Sequence, residues 1–492
     1  MRDKNILMVD LVGQYDKIKD EINQNIINSL QEGKFINGPI VKEFSQNLSN
    51  FLNVKYVVPC ANGTDALQIA YMALGLKSSD EIICPSWTYI STAEAAAIIG
   101  VKTIFCDVDP NTFNVTAEFI EPLITKKTKA IVVVHLYGQS CDMEPILNLA
   151  KKHNLKVIED NAQAIGCEYT FSNGEKKYTG TIGDIGTTSF YPTKNLGAYG
   201  DGGAIFTNND DLAKKIKMYS NHGESKRYHH NIIGINSRLD SIQAEVLNVK
   251  LKYLNNYNQA RNLMAENYNK AFKSVEQLQI PELNKNSTHV YHQYTLKVLN
   301  GKRDDLMKYL EQNEIETRVY YPIPVHKQKA FSNYSNISLI NTDELATSCL
   351  SLPIHSEIEN SSQMTKTSCK RIFLSNGQTK LKEKGQGSQI WPRKRSKGPN
   401  TLPNRHPKFT RQIKDKNKSK NTYILYPAKE SPTTATIRSA DMHKKQEKTE
   451  KREVSNERAM TRNSNFLFDQ THSFFSATDS PVCFCLPTVP GV

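Results

Sequence analysis

Short β-branched runs alternate with helix-length segments from Tyr56 to Ile158, and this alternation narrows the possible folds more than any other feature. The runs Tyr56–Val58, Glu81–Cys84, Val101–Phe105, Ala130–Val134 and Lys156–Ile158 have strand length and are apolar enough to be buried on both faces. Helix patterns fill the gaps at Ala66–Leu76, Ala93–Ile99 and Met143–His153. The alternation predicts an α/β fold whose mainly parallel sheet is covered on both faces. Ahead of it, Ile18, Ile22, Ile26 and Leu30 lie four apart and predict an amphipathic helix over 14–33, with a second over Ile40–Leu52. Beyond it, helices are expected over Asp211–Ser220 and Ser241–Phe272. Residues 290–355 read as a smaller α+β domain, with a strand at His292–Val298 and helices at Asp304–Asn313 and from Asp343. The expected organisation is a large domain over 1–240, the long helix and small domain over 241–365, and a tail over 366–492.

Charge separates the tail from the rest. Residues 361–492 hold 26 Lys+Arg against 10 Asp+Glu, whereas residues 1–360 hold 37 against 40. The folded part therefore reads as a near-neutral enzyme, and a nucleic-acid partner is not expected. The basic run Arg393-Lys-Arg395 reads as a solvated patch. Nine scattered cysteines fit a reducing compartment, and Cys483-Phe-Cys485 is too isolated to make a metal site. No apolar run reaches membrane-spanning length and no secretory signal is legible, so a cytoplasmic protein is expected.

Four stretches carry chemistry. Strand-like pieces at Thr188–Tyr191 and Ala204–Thr207 flank a loop in which Pro192 and several glycines surround Lys194. A lysine on such a loop is either a surface side chain or one that loses its proton and forms a Schiff base with a carbonyl. Asn62-Gly-Thr64 opens a helix, capped by Thr64 or Asn62, and its free N–H groups suit a phosphate. Trp87 and Tyr89 follow a strand, where one of them packs in the core or stacks on a flat ring. Asp160, directly after the last strand, is a cap or a site carboxylate. His229 and His230 invite a metal reading, but neighbours on an extended chain point apart and no ligand lies at suitable spacing, so no metal is expected. Together a loop lysine, a strand-end acid, a phosphate cradle and an aromatic platform are what pyridoxal phosphate requires.

At these residues the chain resembles the sugar aminotransferases of the DegT/DnrJ/EryC1/StrS group, which have the fold type I architecture of aspartate aminotransferase. The matching pieces are Ala61-Asn-Gly-Thr-Asp-Ala-Leu67, Pro85-Ser-Trp-Thr-Tyr-Ile90, Glu159-Asp-Asn-Ala-Gln163, Ser189-Phe-Tyr-Pro-Thr-Lys-Asn-Leu196, Gly200-Asp-Gly-Gly203, Gly234-Ile-Asn-Ser-Arg-Leu-Asp240 and Tyr321-Pro-Ile-Pro324. They stand in family order over residues 6–363. The resemblance implies that Lys194 is the Schiff-base lysine and proton shuttle and that Asp160 pairs with the pyridine nitrogen. It places Gln163 near the ring oxygen, Gly63, Thr64 and Ser189 at the phosphate, and Tyr89 over the ring. It implies that Asn236 reaches the phosphate of a neighbouring subunit's cofactor, hence a homodimer, and that Tyr321 and His326 line the nucleotide-sugar side. Glutamate is the implied amine donor. The family's dehydratase branch has histidine in place of the lysine, so Lys194 argues against it.

Cys60-Ala-Asn-Gly-Thr-Asp-Ala-Leu-Gln-Ile69 and His222-Gly-Glu-Ser-Lys-Arg-Tyr-His-His230 resemble the branch acting on UDP-2-acetamido-2-deoxy-3-oxo-glucuronate, with Arg238 and Lys327 as candidate partners for its carboxylate. That branch serves O-antigen and related surface polysaccharides. The alternatives are a dTDP- or GDP-linked keto-6-deoxyhexose, or a silent cofactor-binding regulator. The family ends in a short helix after Leu352-Pro-Ile-His355, which Ser361–Lys366 begins. Apolar spacing then collapses, so the reading frame or gene model is expected to depart from the family near Lys366 and the tail to be unstructured.

Overall fold

The computed structural model describes residues 6–334 and 336–358. Helices α1 (Leu11–Glu32) and α2 (Pro39–Leu52) lead into β1 (Tyr56–Cys60). Then come α3 (Gly63–Ala73), β2 (Glu81–Pro85), α4 (Ser91–Ile98), β3 (Lys102–Cys106), the single turn α5 (Ala117–Ile120), β4 (Thr128–Val134), α6 (Met143–Lys152) and β5 (Lys156–Asp160). A short ribbon, β6 (Glu168–Thr170) with β7 (Lys176–Tyr178), precedes β8 (Ile185–Ser189) and β9 (Gly203–Thr207). After α7 (Asp210–Tyr219), β10 (Glu224–Lys226) and β11 (His229–His230) pair as a second ribbon. The long α8 (Ser241–Phe272) follows, then β12 (Leu278–Gln279), β13 (Tyr294–Val298), α9 (Arg303–Gln312), α10 (Ile340–Ser348) and β14 (Cys349–Leu352).

The main sheet runs β1-β9-β8-β5-β4-β2-β3. The pairs β8/β5, β5/β4, β4/β2 and β2/β3 are parallel, and β9 runs antiparallel to both β1 and β8. The expected mainly parallel sheet is therefore present, with one reversed strand inside it. Period-two alternation divides the strand side chains between two cores. Ile82, Val132, Ile158 and Ile205 pack with α3 and α4 on one side, and Ile83, Val133, Val157 and Leu149 of α6 pack on the other. Burial on both faces explains why the strands read as continuous apolar runs. The N-terminal half of α8 packs with α2 in a third cluster around Phe44, Leu48, Leu247 and Leu254. Its C-terminal half, with Met264, Tyr268 and Phe272, covers the small antiparallel sheet β12-β13-β14.

Two of the boundaries that differ from expectation do so for legible local reasons. Helix α3 starts at Gly63 rather than Ala66 because Asn62, in extended conformation, accepts the Asp65 N–H at 2.8 Å and caps a polar first turn that carries no apolar signal. Strand β8 starts at Ile185 because Ile185, Gly186 and Thr187 pair with Ile158, Glu159 and Asp160 of β5, a pairing that overrides the weak strand preference of Gly186. The tail expected over 366–492, the helix begun at Ser361 and the departure near Lys366 lie outside the described residues.

Candidate active site

Because β1, β2, β4, β5 and β8 all point the same way, their C-terminal ends share one edge of the sheet, where open α/β sheets bind ligands. Asp160 ends β5, flanked in register by Val134 of β4 and Thr187 of β8. Ser189 ends β8, Asn62-Gly63 follow β1, and Ser86-Trp87 follow β2. Lys194 sits in the loop between β8 and β9, its N–H bonded to the Tyr191 carbonyl at 2.8 Å.

Lys194 and Asp160 form the electrostatic centre. Burial brings the Lys194 ammonium down to about 8 from the 10.5 of a free lysine, and the Asp160 carboxylate opposes that fall. Burial raises the Asp160 carboxyl above its ordinary value. Thr92 Oγ1, donating to Oδ2 at 2.8 Å, and the Ala162 N–H, donating to Oδ1 at 3.2 Å, pull it back, as do Lys194 and His135. The lysine is thus near neutrality at mildly alkaline pH while facing a carboxylate held in place by two donors.

The adjoining cradle admits no extra atoms. A Cβ at Gly63 would lie 2.7 Å from Ser189 Cβ, and one at Gly203 would lie 2.5 Å from the Asn62 carbonyl. The first-turn N–H groups of α3 beyond the capped one have no helical acceptor, which suits an anion. Thr64 Oγ1 lies 2.7 Å from Ser91 Oγ, and Ser237 Oγ accepts the Ala61 N–H at 3.0 Å, bracing the turn. Gln163 is fixed at both ends: Oε1 accepts the Tyr137 N–H at 2.8 Å and Nε2 donates to Tyr321 Oη at 3.0 Å.

The two aromatic candidates part ways. Trp87 is fully buried among Ile83, Val133 and Tyr137, whereas Tyr89 is 59% exposed with its ring 6.1 Å from that of Tyr321. Tyr89 is therefore the one available to a ligand. Asn236 is exposed, and its backbone bridges to Asn221. Arg238 lies half-buried with Nη1 3.5 Å from Asn221 Oδ1. Lys327 is exposed and ion-paired to Asp343 at 2.6 Å. His326 is placed differently from the sequence expectation: it has no exposed surface. The Ser86 hydroxyl and His326 Nδ1 lie 2.7 Å apart, the His326 N–H donates to Ser86 Oγ at 3.1 Å, and Asp343 lies 3.6 Å from Nε2. The ring is thus hydrogen-bonded to Ser86, just after β2, and its Nε2 faces Asp343 of α10 without a hydrogen bond.

Sequence reasoning missed three supports. Thr92, Ser237 and the pair His135–Glu159 were not singled out. Glu159 is fully buried; it accepts N–H groups from Gly180, Ile182 and Gly183 at 2.8, 2.7 and 2.6 Å, with His135 Nε2 2.8 Å away. His135 Nδ1 accepts the Cys141 N–H at 3.1 Å, so Nε2 carries the proton toward Glu159. The available signal was positional: His135 directly follows β4 of the parallel set, as Asp160 closes β5 beside it.

The profile of the DegT/DnrJ/EryC1/StrS aminotransferase family matches residues 16–367. The chain belongs to this family. It is 41% identical over 357 residues to the UDP-2-acetamido-2-deoxy-3-oxo-D-glucuronate aminotransferase of Pseudomonas aeruginosa, covering 73% of this chain and 97% of that one. It is also 41% identical over 363 residues to a Geobacillus stearothermophilus protein named pleiotropic regulatory protein, covering 73% and 96%. The crystal structure of ntda from Bacillus subtilis with bound cofactor PMP aligns with a TM-score of 0.68 at 33% identity, covering 74% of this chain and 84% of that one. This DegT/DnrJ/EryC1/StrS member is a sugar aminotransferase that uses pyridoxal phosphate, on the fold type I architecture. Among the described residues no helix is long and apolar enough to cross a membrane.

Proposed function

We propose that the protein moves the amino group of glutamate to the 3-keto carbon of UDP-2-acetamido-2-deoxy-3-oxo-glucuronate, in the cytoplasm, for O-antigen or a related surface polysaccharide. The observation that carries the reading is the Lys194–Asp160 pair at the sheet edge beside the Gly63–Ser189 cradle. The cofactor would be held by Lys194, by Asp160 at its ring nitrogen, by Gln163 near its ring oxygen, by Gly63, Thr64 and Ser189 at its phosphate, and by Tyr89 over its face. When bound, pyridoxal phosphate supplies an electron sink for the carbanion formed beside nitrogen. Lys194 Nζ would take the proton lost from the α-carbon of glutamate and, in the second half of the exchange, deliver a proton to C3 of the sugar, acting as base and then acid. Its fall to about 8 supplies a usable fraction of the free amine near neutral pH. Burial raises the Asp160 carboxyl, and the Thr92 hydroxyl and Ala162 N–H oppose that rise by donating to its two oxygens.

The choice of sugar rests on Arg238 and Lys327 as cations for the uronate carboxylate, with Tyr321 on the nucleotide-sugar side, and on the likeness to the Pseudomonas relative. Asn236, exposed on the segment after the β10–β11 ribbon, would complete the phosphate site of a second copy, making a homodimer the working unit. The large domain would comprise residues 1–240 and the small domain 241–365.

The test is the visible absorption of the purified protein with added pyridoxal phosphate, with and without glutamate, beside Lys194→Ala. A band that glutamate bleaches in the parent, with bleaching lost in the variant, supports the donor half of the reaction. Turnover of the UDP-linked 3-keto-uronate over dTDP- and GDP-linked keto-6-deoxyhexoses then supports the sugar. A band that glutamate leaves unchanged, together with salt-sensitive DNA binding, would replace this reading with that of a regulator, as the Geobacillus relative is named.

A further inference from the structure

Three polar side chains of α8 reach the loop that carries Lys194. Gln243 Oε1 accepts the Tyr199 N–H at 2.9 Å, Lys250 Nζ donates to the Gly197 carbonyl at 2.8 Å, and Asn258 Oδ1 accepts from Asn195 Nδ2 at 2.7 Å. The second Asn195 N–H goes to the Val290 carbonyl at 2.8 Å. Spacings of seven and eight residues are each about two turns at ~3.6 residues per turn, so the three form one stripe along the helix. Every second residue from Asn195 to Tyr199 is therefore tied to a single helix.

Lys250 is the member that needs explaining. It is 1% exposed, no carboxylate pairs with it among the described ion pairs, and its Nζ lies 4.3 Å from the centroid of the Tyr199 ring. A lysine buried without a counter-ion is costly, and a methionine would fill the same space at less cost. What a methionine lacks is a donor for the Gly197 carbonyl. That carbonyl belongs to a folded-back turn too tight for any side chain, since a Cβ at Gly197 would lie 2.3 Å from the Pro192 carbonyl oxygen. The turn cannot be stiffened by packing at that point, and Lys250 Nζ, brought down to about 7 by burial but an N–H donor whether charged or neutral, supplies the missing restraint.

We infer that the Gln243–Lys250–Asn258 stripe is a clamp that fixes the direction of Lys194, with Lys250 as its central positioning residue. This rests on the reading of Lys194 as the cofactor-bearing lysine. The clamp touches neither cofactor nor sugar; it acts by restricting the loop, so that Nζ meets the substrate carbon in one geometry. Small displacements of a proton-transfer group cost rate rather than substrate affinity.

The test compares the full chain with Lys250→Met and Lys250→Arg. In the cofactor-free protein, hydrogen–deuterium exchange is followed over residues 192–200 and over β4 and β5. The clamp predicts that Lys250→Met speeds loop exchange about tenfold, the scale of one lost hydrogen bond, and leaves the strands unchanged. Lys250→Arg, which keeps a donor, recovers part of the protection. In the loaded enzyme, Lys250→Met lowers kcat about tenfold with the glutamate KM within about twofold. Unchanged loop exchange, or equal acceleration in loop and strands, would overturn the clamp, as would parent kinetics. Should Lys250→Met not fold, Gln243→Leu takes its place, and unchanged loop exchange there overturns it equally. A parent chain that forms no cofactor band would sink the reading of Lys194 itself, while loop exchange would still report on the clamp.

Discussion

Thr92 Oγ1 donates a 2.8 Å hydrogen bond to Asp160 Oδ2 across 68 residues of sequence, joining the start of α4 to the end of β5. Burial favours the neutral form of this carboxyl, and the threonine is the strongest single opponent of that shift. A hydrogen bond to a charged group contributes about 1.5–3 kcal/mol. Thr92→Val is therefore expected to weaken pyridoxal phosphate binding by about ten- to a hundredfold at neutral pH. An absorbance titration with the cofactor checks this. Unchanged affinity would mean that the Ala162 N–H alone holds the carboxylate.

Lys194 gives a pH-dependent stability in the cofactor-free chain. Its folded value, about 8, lies below the unfolded 10.5, so the folded state binds the proton less well. Folding is penalised when the lysine must be charged, fully below about pH 8, and the penalty vanishes as pH rises to 10.5. Lys194→Met should be more stable than the parent by up to about 3 kcal/mol near pH 7, with the gap closing between those limits. Urea midpoints at several pH values measure it; a gap independent of pH would count against a desolvated lysine.

Gly63→Ala should damage the cradle by crowding Ser189, whose Cβ and Oγ the new methyl would meet at 2.7 and 3.3 Å, so β8 or the α3 cap must shift. Overpacking of this kind costs about 1–3 kcal/mol. A lower melting temperature and weaker binding of both pyridoxal phosphate and inorganic phosphate are expected. Parent-like phosphate binding would place the anion elsewhere.

Acid should unfold the protein partly through His289. Burial holds this imidazole down at about 3, and its Nδ1 accepts the Tyr291 N–H at 2.9 Å. Because the folded value lies below the ordinary 6.5, stability is intact above pH 6.5 and is lost as pH falls toward 3. His289→Gln should remove up to about 5 kcal/mol of that acid sensitivity, at some loss of stability near pH 7.5. Denaturation curves at pH 7.5 and 4.5 test it, and an equal loss in both proteins would assign the acid sensitivity to other groups.

Local pattern was enough to read the strands and most helices, because residues such as Ile82, Val132 and Ile158 need apolar neighbours on both faces and the chain shows it as unbroken apolar runs. It was also enough to nominate Lys194, Asp160 and Gly63, whose chemistry depends on residue type beside a turn or strand end. It gave no sign that His326 would be buried with Ser86, 240 residues away, against its ring. It was silent on Thr92 and Glu159, since a threonine in an alanine-rich helix and a glutamate in a strand carry no mark of what they will face.

The sequence by itself determined which segments become strands and helices, and which residue types stand at the strand ends, because those follow from periodicity and backbone preference within a few residues. The tertiary structure alone decided that five strand ends share one edge, that Lys194 loses its charge readily while Asp160 keeps a donor, and that Lys250 rather than an apolar residue lies under Gly197. Those outcomes depend on desolvation and on contacts between residues tens to hundreds of positions apart, and such quantities exist only once the chain has closed around them.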